Sequence, residues 1–209
     1  MVTATSSRTP ARTLAAVALV AAAAVLAVAG CSSAADDGPD AHPSGTVPAV
    51  GALAPKAAPA GWHSAALPDG AAVLAYPPVM HPVSGDRGTV SAAELSSSGA
   101  FLLYLNATPK QGDETLRDFP DFRLDHLTDD DASSDHLIAR SFGVRFIGGT
   151  GTCVTDSYVT KVKSHHFTEI ACFVRGRAGS SVVIAAAPSA AWAKDAPLLK
   201  RAVAAYQAR

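Results

Sequence analysis

The chain lacks the patterns by which the commonest hydrolases are recognised: it has no Gly-x-Ser-x-Gly, no His-Glu-x-x-His and no Ser-x-x-Lys. Those absences exclude the familiar serine, zinc and penicillin-binding classes, not enzymes in general. Nor is there an excess of positive charge. Lys and Arg number 17 against 18 Asp and Glu, and no polybasic run is present, so neither the footprint of a nucleic-acid binder nor a lipid-headgroup patch is visible. Aromatic residues make up only 6% of the chain and cysteine occurs three times. No apolar run reaches the roughly 20 residues of a membrane-spanning helix: the longest, Leu14 to Ala29, has 16 residues.

What that run does have is the organisation of an export signal. Arg8 and Arg12 precede it, it carries no charge, and small residues follow. Leu26-Ala27-Val28-Ala29-Gly30-Cys31 resembles the lipobox of bacterial lipoproteins, which implies processing before Cys31 and a diacylglyceryl thioether on its sulfur. Ala27-Val28-Ala29 would also serve an ordinary signal peptidase. Two acyl chains give stable anchoring where one gives marginal binding. The expectation is a signal over residues 1–30 and a mature protein held on the extracytoplasmic face of the cell membrane. The two signal arginines are not adjacent, so export in the unfolded state is expected. All the acids lie after position 30, so the mature charge is 15 − 18 = −3.

Residues 31–60, dominated by Ala, Pro, Gly and Ser, read as a disordered tether, because such a composition buries too little apolar surface to offset its ordering entropy. Residues 61–209 then form one domain of 149 residues, large enough for a core of its own.

With Cys31 lipidated, Cys153 and Cys172 remain, and an even pair outside the cytoplasm reads as a disulfide. Its loop of 20 residues, counted inclusively, corresponds to roughly 3 kcal/mol in the chain-entropy treatment. The catalytic alternative is Cys153 as a nucleophile with a histidine base.

Along the domain, the turn Pro68-Asp69-Gly70 separates strands at 63–67 and 72–76, and a proline-rich loop passes through Pro77, Pro78 and Pro82. Further strands are expected at 89–96 and 100–108, then helix through Leu116, Phe119, Leu124 and Leu127 with Pro120 kinking or starting it. Strands at 137–147, 153–162, 167–174 and 181–187 follow. A closing helix is expected from Pro197, at its N1 position, to Gln207, with Asp195 near its start and Leu198, Leu199, Ala202, Val203 and Tyr206 as its apolar stripe. Short links between successive strands rule out parallel pairing. The fold class is therefore α+β, a mainly antiparallel sheet with flanking helices.

The lipobox, the Ala/Pro tether, Gly61-Trp62, the Pro-Asp-Gly turn before Val73 to Pro77, and a late run of strands closed by a helix together resemble the actinobacterial LpqN-type lipoproteins. That resemblance implies a PsbP-like α/β/α sandwich. It carries over no active-site residue.

If Cys153 and Cys172 face each other in a regular hairpin, paired positions sum to 325. Thr155 then faces Ile170, Ser157 faces Thr168 and Val159 faces His166, with Tyr158 against Phe167 on the other face. The same register sets Asp156 against Glu169, and like charges directly opposite destabilise a sheet. Such a pair could share a proton, hold a divalent cation, or serve a hydrolase built on dispersed carboxylates. Splayed side chains or a bulge would dissolve it.

Asp129-Asp130-Asp131-Ala132-Ser133-Ser134-Asp135-His136 fails the calcium-loop pattern, with Ser134 where Gly is needed and Arg140 where Glu is needed. It reads as a solvated loop. His165-His166 lacks a third ligand, and Gly148-Gly149-Thr150-Gly151 lacks the Lys-Ser or Lys-Thr of a phosphate loop, so it reads as a flexible connection. Asn106-Ala107-Thr108 is an incidental sequon, and Trp62, Trp192, Phe101, Phe119 and Phe122 read as core.

These readings converge on a membrane-anchored binding or accessory module of the cell envelope, with no cofactor and no nucleic acid. Its partners are the membrane through Cys31, and an envelope protein or a small ligand. The alternatives are an envelope hydrolase using dispersed acids such as Asp156 and Glu169, or a cation-binding lipoprotein at those carboxylates or at the Asp129 loop.

Overall fold

The computed structural model describes residues 53–209, with the backbone alone at Asp130 and Asp131. Alternating small and β-branched residues, broken by glycine turns, pair into two antiparallel sheets. The larger has seven strands in the order β3 (His81–Val83), β4 (Val90–Leu95), β5 (Phe101–Pro109), β9 (Ser180–Pro188), β8 (His166–Arg175), β7 (Gly149–Thr160) and β6 (Ala132–Phe146). The smaller joins β1 (His63–Ala66), β2 (Ala72–Tyr76) and β10 (Gln207–Ala208). Helix α1 (Phe119–His126) runs into a π turn over Leu127–Asp131, and α2 is Trp192–Ala204.

Because side chains alternate across a strand, the seven-stranded sheet has two covered faces. Cys153, Ile170, Cys172, Val183, Ala185 and Ala187 point to one, where they pack with Leu199, Ala202 and Val203 of α2 and with Leu74 of the small sheet. Val154, Ala171, Phe173 and Val182 point to the other, beneath Phe119 of α1 with Leu116, Phe122 and Leu124 around it. The layers are thus helix, sheet, helix, with the small sheet on the α2 side. The expected α+β architecture and antiparallel pairing hold.

The structure departs from the sequence reading at several boundaries. Part of the expected tether is docked: Leu53 packs against the main core and the Lys56 N–H donates to the Ala204 carbonyl at 3.0 Å. Helix α2 begins at Trp192, so Pro197 lies inside it rather than at N1, giving up one intrahelical hydrogen bond while Ala196 and Leu199 bury on the core side. It ends at Ala204 because Gln207 and Ala208 pair with β2 instead. Within the proline-rich loop, Pro82 sits in the short edge strand β3, where a missing N–H costs least. Strand β6 starts at Ala132, five residues early, and pairs with β7 through three register shifts.

The glycine run is not a flexible connection. Gly149 and Gly151 belong to β7, and Gly148, with φ +77°, turns the hairpin. A methyl on Gly148 would collide with the Ala208 carbonyl, and one on Gly149 would lie 2.6 Å from that of Arg175. At Gly148 and Gly149 the C-terminal strand β10 crosses in close contact, with the Ala208 N–H donating to the Ile147 carbonyl at 2.8 Å, and at Gly151 a methyl would meet the Phe173 carbonyl of β8.

Candidate functional site

The register expected from a bonded Cys153 and Cys172 is the register found. The two cysteines are cross-strand partners, their Cα atoms 4.0 Å apart and their sulfurs 2.10 Å apart, and every pair from Thr150–Arg175 to Val159–His166 obeys the same sum. Tyr158 and Phe167 stack with ring centroids 5.9 Å apart. Asp156 and Glu169 are therefore directly opposite on the α1 face, and both are fully buried.

Their environments differ. Arg123 reaches down from α1, its Nε donating to Glu169 Oε1 at 2.8 Å and its Nη2 to Oε2 at 3.0 Å. This forked geometry satisfies both carboxylate oxygens in one plane. Neither oxygen of Asp156 has a hydrogen-bond partner. Burial, and then the Glu169 charge beside it, push the Asp156 carboxyl up to about 9, against the opposing pull of Arg123. A carboxyl so placed is neutral at pH 7, which removes the like-charge repulsion that the sequence alone would suggest. Asp135, on β6 across from Tyr158, borders the cluster. Burial pushes its carboxyl up as well, and its Oδ1 is buried without a partner.

Sequence reasoning brought Asp156 and Glu169 together but missed Arg123. A signal was present: Phe119, Arg123 and Leu127 follow one another at four-residue steps, so they share a helix face, and Phe119 and Leu127 are each 1% exposed. A guanidinium on an otherwise apolar stripe calls for a buried anion.

As a cation site the pair is poorly constituted. The forked Arg123 already neutralises Glu169 and occupies both its oxygens, and among the described residues no group of three or more His, Cys, Asp or Glu is placed to hold a metal ion. As a hydrolytic site it has no access, both acids lying under α1 without solvent exposure. His165 and His166 are exposed at the β7–β8 turn, with His166 on the strand itself. Asn106 is buried, its Nδ2 donating to Ser91 Oγ at 2.8 Å, so the sequon is sealed inside the sheet. Phe119 is core, whereas Phe101 is 41% exposed. Cys31 lies outside the described residues, and no described helix is long and apolar enough to cross a membrane.

The molecule so defined is a disulfide-linked antiparallel sandwich with a sealed ion pair. No family model matches the chain, and no curated protein matches it. Among solved structures it is similar to the cyanobacterial PsbP protein CyanoP of Synechocystis sp. PCC 6803, at 14% identity over 73% of this chain and 95% of that one, with a TM-score of 0.49. It is similar also to a Pseudomonas aeruginosa protein of unknown function, at 12% identity over 68% and 94% of the two chains and a TM-score of 0.41. A Bacteroides thetaiotaomicron protein matches at 13% identity over 71% of this chain and 49% of that one, with a TM-score of 0.43.

Proposed function

We propose that the protein is a lipid-anchored, extracytoplasmic accessory module that binds and does not catalyse, built on a PsbP-like sandwich. The observation that carries the non-catalytic part is the fate of Asp156 and Glu169. Both are closed under α1 instead of lining a cleft, Glu169 held in a structural ion pair with Arg123 and Asp156 buried beside it, although Asp156 is the most perturbed acid among the described residues. The anchor rests on the Leu26 to Cys31 sequence, and the extracytoplasmic location fits a disulfide between adjacent strands. Cys31 carries the diacylglyceryl group and the chain up to Gly30 is removed.

The test is the intact mass of the protein recovered from membranes of its own host. A chain beginning at Cys31 with a diacylglyceryl adduct is expected, and Cys31→Ser shifts the protein to the soluble fraction. A soluble native chain beginning at Gly30 overturns the anchor. Crosslinked capture from those membranes then identifies what the module binds.

A further inference from the structure

Arg145, Arg175, Arg177 and Arg209 are scattered through 65 positions of sequence, which is why no basic cluster is legible there. The fold gathers them at one end of the domain. Arg145 and Arg175 both pair with Thr150, from strands on either side of β7, so they stand on one face of the sheet about 10 Å apart. Arg177 lies in the β8–β9 turn, and Arg209 follows β10 with its backbone bonded to Ala178 and Ala71. Arg177 and Arg209, with Gly70, Gly148 and Ala178, line a hollow of about 560 Å³. All four arginines are exposed, and none belongs to a salt bridge among the described residues. Asp69, next to Gly70 in the β1–β2 turn, is the acid beside this hollow, and its Oδ1 accepts the Ala71 N–H at 2.9 Å.

The segment before β1 is docked close to β10. Lys56 is bonded to Ala204, the last residue of α2, a few residues before Arg209. Leu53 is 22 residues from Cys31, and 22 residues of any chain span at most about 75 Å.

We infer that this arginine-bearing end is a docking surface for the anionic face of the bilayer. The inference rests on the anchored reading above for its orientation, and on the gathered charge for its chemistry. Guanidinium groups bind phosphate through paired N–H donors, and the hollow between Arg177 and Arg209 accommodates a headgroup phosphate. The anchor keeps the surface close to its target, so individually weak contacts hold the domain down on the membrane with the β6–β7 and β8–β9 turns facing the lipid.

The experiment uses the mature chain from position 31 with Cys31→Ser, floated with vesicles of neutral phosphatidylcholine or with added phosphatidylglycerol. Binding to the anionic vesicles alone is expected, weakening steeply as salt is raised. Each arginine removed weakens partitioning about fivefold, so R145Q/R175Q/R177Q/R209Q falls a few hundredfold, whereas K163Q/K194Q, at the opposite end, stays within about threefold. Equal binding to both vesicles, salt-independent binding, no binding, or an equal loss in K163Q/K194Q overturns the surface. Should the quadruple variant not fold, the salt and lipid dependence of the parent chain decides alone. The anchor is judged separately, by the mass of the native protein, so either can fail without the other.

Discussion

Replacing Asp156 by asparagine tests whether a neutral acid is built into this core. Its ordinary pKa is 3.8 and its folded value is pushed up to about 9, by burial first and by Glu169 second. Between those values the folded chain keeps a proton that the unfolded chain has released. Unfolding stability therefore falls as pH rises, by about 1.4 kcal/mol per unit for this group. The loss begins near pH 4 and is complete near pH 9. At pH 7 it amounts to at most about 4 kcal/mol, which is large beside a typical domain stability of about 5 to 15 kcal/mol.

The amide that replaces the carboxyl has nearly the same shape and no ionisation. The D156N chain is expected to match the parent near pH 4, to exceed it by roughly 2 to 4 kcal/mol at pH 7, and to exceed it further at pH 9. Urea unfolding of both chains, with the disulfide intact, at about pH 4.5, 7 and 9 measures the difference at each pH. The shape of that difference matters more than its size. A gap that does not widen with pH, or a D156N chain that is the weaker at pH 9, refutes a buried neutral carboxyl at this position.

Other consequences are open to similar measurements. Arg123→Met leaves Glu169 buried and unpaired beside Asp156, and should cost about 3 to 5 kcal/mol by chemical denaturation, whereas Asp121→Asn, which removes the exposed partner of Arg140, should cost under about 1 kcal/mol. Cys153→Ser with Cys172→Ser should lower stability by roughly 3 kcal/mol, and the unreduced parent, unfolded, should show no thiol at either position. Gly148→Ala, at positive φ and against the Ala208 carbonyl, should lower the melting temperature by several degrees, while Gly99→Ala, also at positive φ but with open space around it, should cost less. Millimolar calcium or magnesium should leave the melting temperature unchanged, because Arg123 already holds both oxygens of Glu169; a rise of more than a degree or two would restore the cation reading.

The parts of this fold that sequence reveals are those with local or covalent signatures. Alternation and turn residues place most of the strands, and a single disulfide converts two positions into a full register, which is how Asp156 and Glu169 can be set opposite each other from sequence alone. Edge strands β3 and β10 have only three and two residues, too few to show a period. Their pairing is decided by the strand edges left open to them, that of β4 for β3 and that of β2 for β10.

The glycine run shows where legibility stops. Glycines at 148 and 149 report that some backbone comes close, but no local pattern says that the visitor is Ala208, some sixty residues later. The Arg123–Glu169 pair is intermediate, since the apolar stripe demands a buried anion without choosing among the acids. Arg145, Arg175, Arg177 and Arg209 are the extreme case, because no arginine among them is unusual in its own neighbourhood. Their common property is a position at one end of antiparallel strands, and it exists only once the hairpins have closed. A charge cluster made by topology can therefore be absent from every window of the sequence and still be dense on the surface, and for that reason the search for a membrane-facing or partner-facing site in such a domain has to begin at the ends of its sheet.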